Sequence, residues 1–295
     1  MFDYKLLQAL SAVARQGSFD QAASELGLTQ SAVSQRVKLL EQRLGQPLLV
    51  RAHPIRPTQA GLALMRHQQQ VEMMESALAS SLSQDEDSHY QRIRLAVNAD
   101  SLATWLPSVL AGLHRKHRVL SELTVEDEVV TLERLRRGEV AGCISAHAQA
   151  VQGCRSTLLG NLDYILVCSP EFASTHFNEG VDAQSLRLAP TLKYSSNDDL
   201  LAQFLQTFYP TDNSLPPHHL IPSAQGFVDA VLNHMGYAAL PRLQIQFALN
   251  NGELQQLGTH SLAVPLYWHS WRLQSPVMEL VGKSLLAQSR ISLSR

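Results

Sequence analysis

Apolar positions in the first fifty residues follow a helical period that glycines interrupt. Leu6, Leu7, Leu10, Val13 and Ala14 keep one face of a first helix, which should stop at Gly17. Ser18 with Gln21 three residues on has the form of a capping box, so a second helix is expected there, burying Ala22, Ala23 and Leu26 and ending at Gly27. Thr29 suits the cap of a third helix that runs through Val33, Val37, Leu40 and Leu44 to Gly45. Pro47, Pro54 and Pro57 then exclude helix, and Leu48 to Arg51 fits one strand of a strand-loop-strand hairpin.

From Thr58 to about Gln84 no proline occurs, which predicts one long helix of about 40 Å. Leu64, Val71 and Leu78 recur at sevens with Met74 between them, a narrow seam suited to a second helix in a dimer or to the helix's own domain. The acidic stretch Gln84 to Ser88 reads as a hinge. Beyond it the pattern alternates: strand Arg92 to Val97, helix Ser101 to His114, strand Leu120 to Val125, helix Thr131 to Arg137, strand Ala141 to Ser145. That order implies a parallel sheet with right-handed crossovers. A second unit begins near Tyr164, with a strand to Cys168 and helices at Leu200 to Phe208 and Gly226 to His234, and the last helix, Val277 to Ser289, returns to the first unit.

Composition narrows the class. With 45% hydrophobic and 17% charged residues the chain can bury real cores. The net charge of -2 conceals an asymmetry: residues 1–60 carry seven Lys/Arg against four Asp/Glu, and the remainder is net acidic. A basic head on an acidic body suits contact with a polyanion at one end. Cys143, Cys154 and Cys168 show no C-x-x-C spacing, Asp3, Arg15 and Asp20 interrupt any signal-peptide core, and no run of about 18 apolar residues occurs. A soluble, cytoplasmic protein without a membrane partner is expected.

The second and third predicted helices are separated by Gly27 and Leu28, which is helix-turn-helix spacing. Val33 and Val37 face the interior, leaving Gln30, Ser31, Ser34, Gln35 and Lys38 on the opposite side. Gln can bond an adenine edge bidentately, Ser can bond bases or phosphates, and Lys can neutralise phosphate. Arg51 and Arg56 in the hairpin could lie near the DNA backbone or minor groove as a wing does. The competing reading is a three-helix bundle with a solvated polar face. Enzyme readings are poorly supplied: the chain has no G-x-S-x-G, G-x-G-x-x-G or P-loop, and His114 and His117 flank Arg115 and Lys116 without an obvious third metal ligand. Neither catalytic residues nor a metal or cofactor is therefore expected.

Ser18-Phe19, Ala22-Ala23, the run Leu28 to Gln35, Leu40-Glu41, Leu44-Gly45, Leu48 to Arg51 and Pro57 to Gly61 resemble the signature of LysR-type transcriptional regulators. The resemblance implies an α+β chain of three parts: a winged helix-turn-helix at residues 1–57, a dimerising linker helix at 58–88, and a two-lobed α/β effector domain like a periplasmic binding protein at 89–295. Lobe I would take about 89–163 and 267–295, and lobe II about 164–266. Double-stranded DNA is the implied partner of a homodimer able to pair into a tetramer and to meet RNA polymerase. Leu95 to Trp105, Val125 to Glu128, Glu133 to Val140, Leu162 to Tyr164 and Leu266 to His269 further resemble the branch of the family that responds to lysine and arginine and controls amino-acid export. That resemblance implies a small effector, L-lysine or L-arginine. Asn98, Asp100 and Ser101 join the first strand to its helix, where Ser101 and nearby N–H groups suit an α-carboxylate. Glu126, Asp127 and Glu128 lie at the end of the second strand, where open α/β sheets bind ligands, and Asp198 with Asp199 would close from the other lobe. Each acid has an alternative as a solvated loop charge. A solute-binding module with no regulatory role is the other reading of this part.

Overall fold

The computed structural model describes residues 2–82, 90–125, 128–210, 216–272 and 275–295. The head consists of α1 (Tyr4–Gln16), α2 (Phe19–Leu26) and α3 (Gln30–Leu44), followed by the hairpin of β1 (Leu49–Val50) and β2 (Arg56–Pro57). Gly17, Gly27 and Gly45 end the three helices in the left-handed conformation, as glycine permits. Thr29 Oγ1 accepts from the Ala32 N–H at 3.2 Å and caps α3. Ser18 caps α2 by position alone, because its side chain makes no cap hydrogen bond, and the expected capping box is absent. Leu7, Leu10, Val13, Ala22, Val33, Val37 and Leu40 form the core of the head.

Helix α4 (Gln59–Leu82) starts where Thr58 Oγ1 accepts from the Gly61 N–H at 3.2 Å. Its first turns belong to the head: Leu64 packs on the head core, and Ser11 Oγ donates to Gln68 Oε1, both residues being buried. Leu64 and Val71 are half-buried, Leu64 partly against its own head, whereas Met74 and Leu78 further along are exposed.

The rest of the chain forms one seven-stranded sheet and a separate two-stranded one, with helices on their faces. Strand β3 (Gln91–Val97) leads through α5 (Ala99–Ala103) and α6 (Leu106–His117) to β4 (Val119–Val125), then through α7 (Glu128–Arg136) to β5 (Gly142–Ser145). β3 pairs in parallel with both β4 and β5, the topology that the alternating pattern implies. The helix expected from Ser101 to His114 is broken at Thr104 and Trp105, because Pro107 can stand only in a first turn, where α6 places it. After β6 (Cys154–Cys168) come α8 (Pro170–His176), α9 (Ala183–Leu188), β7 (Thr191–Lys193), α10 (Leu200–Phe208), β8 (His218–Leu220), α11 (Ala224–Leu232), β9 (Ala238–Pro241), α12 (Arg242–Asn250), β10 (Gln255–Gln256), β11 (Leu262–Trp271) and α13 (Pro276–Ser292).

Two long strands join the lobes. β6 and β11 pair antiparallel from Tyr164 and Leu262 to Cys154 and Trp271, with one register shift between Leu266 and Tyr267. The sheet order β10-β6-β11-β5-β3-β4, with β9 also on β6, therefore runs unbroken through both lobes. Lobe I, around β3, β4 and β5, buries Leu95, Val97, Leu106, Ile144, Trp268, Val281 and Leu285 in one core. Lobe II packs two apolar clusters on β6 and β9, one with α11 and α12 and one with α8, α9 and α10. Among the described residues no helix is long and apolar enough to cross a membrane.

Trp268, 1% exposed, is the largest fully buried side chain and lies against two glycines. A Cβ on Gly142 would stand 2.2 Å from its ring, and one on Gly282 would stand 3.3 Å from its Nε1. Gly142→Ala must displace the indole or its strand, so it is expected to cost roughly 1–3 kcal/mol or more of stability. Urea unfolding checks this through a lower midpoint with an unchanged slope.

Candidate functional site

Two places collect the candidate residues. In the head, α3 buries Val33, Val37 and Leu40 and turns Gln30, Ser31, Gln35 and Lys38 to solvent, with Ser34 half-buried beside them. Arg51 and Arg56 are exposed on the hairpin, where Val50 pairs with Arg56 and Leu49 with Pro57. The structure thus brings all seven onto the outer surface of α3 and its wing. Glu41 sets the wing relative to the helix: its Oε1 accepts from the Leu48 N–H at 2.8 Å and the Leu49 N–H at 3.4 Å. The sequence shows Leu40-Glu41 only as part of a motif. Its signal was an acid on the last turns of α3 facing a backbone that must enter a strand.

The second place is the crossing between lobes. Asp100, on α5 of lobe I, receives the Tyr164 hydroxyl on Oδ2 at 2.5 Å, with the tyrosine standing on β6. Asp198, in the turn before α10 of lobe II, accepts from the Tyr194 N–H at 2.9 Å and the Leu200 N–H at 3.1 Å. The two carboxylates lie close enough across the lobes for each other's charge to be felt. Asn98 Oδ1 beside them is buried without a hydrogen-bond partner among the described residues. An acceptor left in that state is costly unless a donor reaches it. Ser101 is wholly buried, and its hydroxyl accepts from Trp105 Nε1 at 3.3 Å, which fixes its oxygen within lobe I and leaves its O–H to donate. Glu126 and Asp127 lie outside the described residues, and Glu128 is placed only as the first residue of α7. Tyr164 was legible in the sequence as part of a segment but not as the partner of Asp100, because residues 64 apart carry no local spacing signal.

Residues 4–62 match the family described as "Bacterial regulatory helix-turn-helix protein, lysR family", and residues 87–290 match the "LysR substrate binding domain". The chain belongs to the LysR family of transcriptional regulators. It is 44% identical over 297 residues to the HTH-type transcriptional regulator ArgP of Pseudomonas aeruginosa PAO1, an alignment that covers 100% of this chain and 98% of that relative. The crystal structure of ArgP from Mycobacterium tuberculosis superposes with a TM-score of 0.86 at 34% identity, covering 100% of this chain and 99% of the other. Full-length LysG of Corynebacterium glutamicum, solved with the effector Arg bound, gives 0.78 at 28% identity with full coverage of both chains. A second full-length LysG structure gives 0.63 at the same identity and coverage. This LysR-family chain is thus a transcription regulator and not an enzyme.

Electrostatically, Asp100 of this regulator is poised against its own ionisation. Burial is the main force lifting the Asp100 carboxyl above the usual aspartate range; the Tyr164 hydroxyl pulls it back down and the like charge of Asp198 lifts it again. A raised folded-state value means that the folded protein keeps this proton where the unfolded chain has lost it. The resulting stability is complete below the unfolded value of 3.8 and disappears as pH rises through the folded value. At neutral pH a buried carboxylate opposes folding, so Asp100→Asn is expected to stabilise the ligand-free regulator by on the order of 1 kcal/mol. Urea unfolding at neutral pH and again near the usual aspartate value should show the gain shrink in acid. A variant less stable than wild type at neutral pH would show that the ionised form is favoured.

Proposed function

We propose that this LysR-type regulator senses a basic amino acid, lysine or arginine, and controls genes for amino-acid export or metabolism. The observation that carries the reading is the buried Asp100 carboxylate of lobe I, which feels the charge of Asp198 of lobe II, with the unsatisfied Asn98 Oδ1 two residues before it. Two acids and one acceptor make a site for a cation rich in N–H donors, which an ammonium or guanidinium group supplies. The likeness to ArgP proteins and to LysG, whose solved complex holds Arg, supports the same choice. A cation bound between the lobes would offset the repulsion that opposes ionisation of Asp100 and would favour one lobe arrangement over the other. In this reading residues 1–57 bind DNA, 58–88 link and pair two chains through the exposed stretch at Met74 and Leu78, and 89–295 sense the amino acid in the cytoplasm.

Isothermal titration of the full-length protein tests the effector. Lysine or arginine should bind, while glutamine and methionine should not. Asp100→Asn should weaken the interaction by about tenfold or more, since a hydrogen bond to a charged group contributes roughly 1.5–3 kcal/mol. Binding requires the carboxylate, so affinity should fall as pH falls through the elevated Asp100 value. Neutral amino acids binding as well as basic ones would sink this assignment and leave the family intact.

For the head, we infer that Gln30, Ser31, Ser34, Gln35 and Lys38 enter the major groove and that Arg51 and Arg56 lie against the backbone or minor groove. Gln35→Ala should cost on the order of 1–3 kcal/mol, mainly on DNA selected by the protein from a random pool. Arg51→Ala should weaken selected and unselected DNA alike and flatten the salt dependence by about one phosphate. Fluorescence anisotropy across a salt series measures both. Unchanged discrimination in Gln35→Ala would reverse the orientation given to α3.

A further inference from the structure

The contact between the sensing and DNA-binding parts is unusually close at one point. At the C-terminal end of α7 the chain turns through Gly138, whose φ is +71°, and a Cβ placed there would stand 2.9 Å from both Cα and Cγ of Arg66 on α4 and 3.1 Å from its backbone N. No side chain could stand between the two backbones. The turn is also stiff: Gly138 N–H donates to the Leu135 carbonyl at 3.0 Å, Glu139 N–H to the Arg134 carbonyl at 3.0 Å, and Arg134 pairs with Glu139 at 2.7 Å while Arg137 pairs with Glu133 at 3.0 Å. Leu135 and Val140 on either side are anchored in a core with Ala96, Cys143, Cys154 and Trp271.

Both partners of this contact continue into functional parts. α7 begins at Glu128, three positions after the last residue of β4, and is nine residues or about 13 Å long, so some two and a half turns of helix separate its linker end from its cleft end. On the other side, two residues beyond Arg66, Gln68 is joined to Ser11 of α1, which makes the start of α4 one body with the head.

We propose that the Gly138 turn forms a docking seat on lobe I for the start of α4 and the DNA head joined to it, and that α7 transmits lobe movement to the head through the seat at Arg66. The direction of the signal rests on the effector reading above; the docking surface itself does not. A close backbone seat with two discrete states, docked or released, is the kind of bistable contact through which movement of one part reaches another.

The test compares two glycines of the full-length protein. Gly138→Ala adds a methyl against α4, whereas Gly252→Ala adds one at the same kind of backbone, φ +73°, with nothing within 4 Å. Any difference between them therefore reports the contact and not left-handed strain. Spin labels on cysteines placed at exposed Gln42 and Lys116, diluted with unlabelled chains, give the head-to-lobe distance by pulsed electron resonance without amino acid. Wild type and Gly252→Ala should share one distribution, and Gly138→Ala should shift or broaden it. Identical distributions in all three overturn the docking surface. The second arm measures the change in affinity for selected DNA when L-arginine or L-lysine is added. Allosteric coupling is typically about 5- to 150-fold, and Gly138→Ala should reduce the wild-type change to within about twofold of none while leaving amino-acid binding by titration intact. A full response in Gly138→Ala overturns transmission through α7. If neither amino acid binds wild type, the effector reading fails, and the distance arm alone still decides the seat.

Discussion

The antiparallel ladder of β6 and β11 is the constraint from which the sensing half takes its form. Ten residue pairs stand in register along this ladder from one lobe to the other, so the lobes are not beads on a linker but two ends of one ribbon. Relative motion must concentrate where the ladder is weakest, at the register shift between Leu266 and Tyr267 and at Gly160 opposite it, whose φ of +148° few other residues adopt. Tyr164 sits on this ribbon and reaches Asp100 on lobe I, so the strand that joins the lobes also orients an acid at their meeting place. Trp268, on the partner strand, fills the lobe I core against Gly142 and Gly282 and keeps that end of the ribbon from twisting.

Stability and sensing oppose each other at the cleft. A protein optimised for folding alone would not bury Asp100 within the field of Asp198 or leave Asn98 Oδ1 without a donor. Such departures from local good sense concentrate where a ligand completes the structure, which is why a stabilising substitution there would be a functional loss. The buried cysteines show the reverse case. Cys143, Cys154 and Cys168 are all enclosed, and burial pushes the thiol of Cys154 up to about 11 and that of Cys168 up to about 12, so they behave as small apolar fillers.

Local patterns made the head legible. Gly27 and Thr29 mark the turn and the cap, and Val33 and Val37 fix which face of α3 remains for DNA, so the seven surface candidates could be read before any coordinates. Contacts between distant residues were not legible. The Asp100 partnership with Tyr164 and the contact of the Ser101 hydroxyl with Trp105 depend on how β6 and α6 pack, which spacing does not encode. Pro107 did carry the signal for the break between α5 and α6, but the apolar period around it masked the break. Most of β6 and β11 escaped because polar residues such as Arg155, Asn161 and Ser270 interrupt their alternation where the ribbon passes from one lobe to the other.

Glu41 carries a consequence for how this head meets a duplex. Because one carboxylate oxygen holds the first two residues of the wing from the last turns of α3, opening the hairpin away from the helix would break both bonds. While both bonds hold, helix and wing act as a caliper. A duplex whose groove width or curvature differs from that fixed gauge must itself bend or narrow to be gripped, and sequences differ in how readily they do so. Selectivity would then extend to base pairs that no side chain touches, through the stiffness of the DNA measured against the rigidity of a single glutamate clasp.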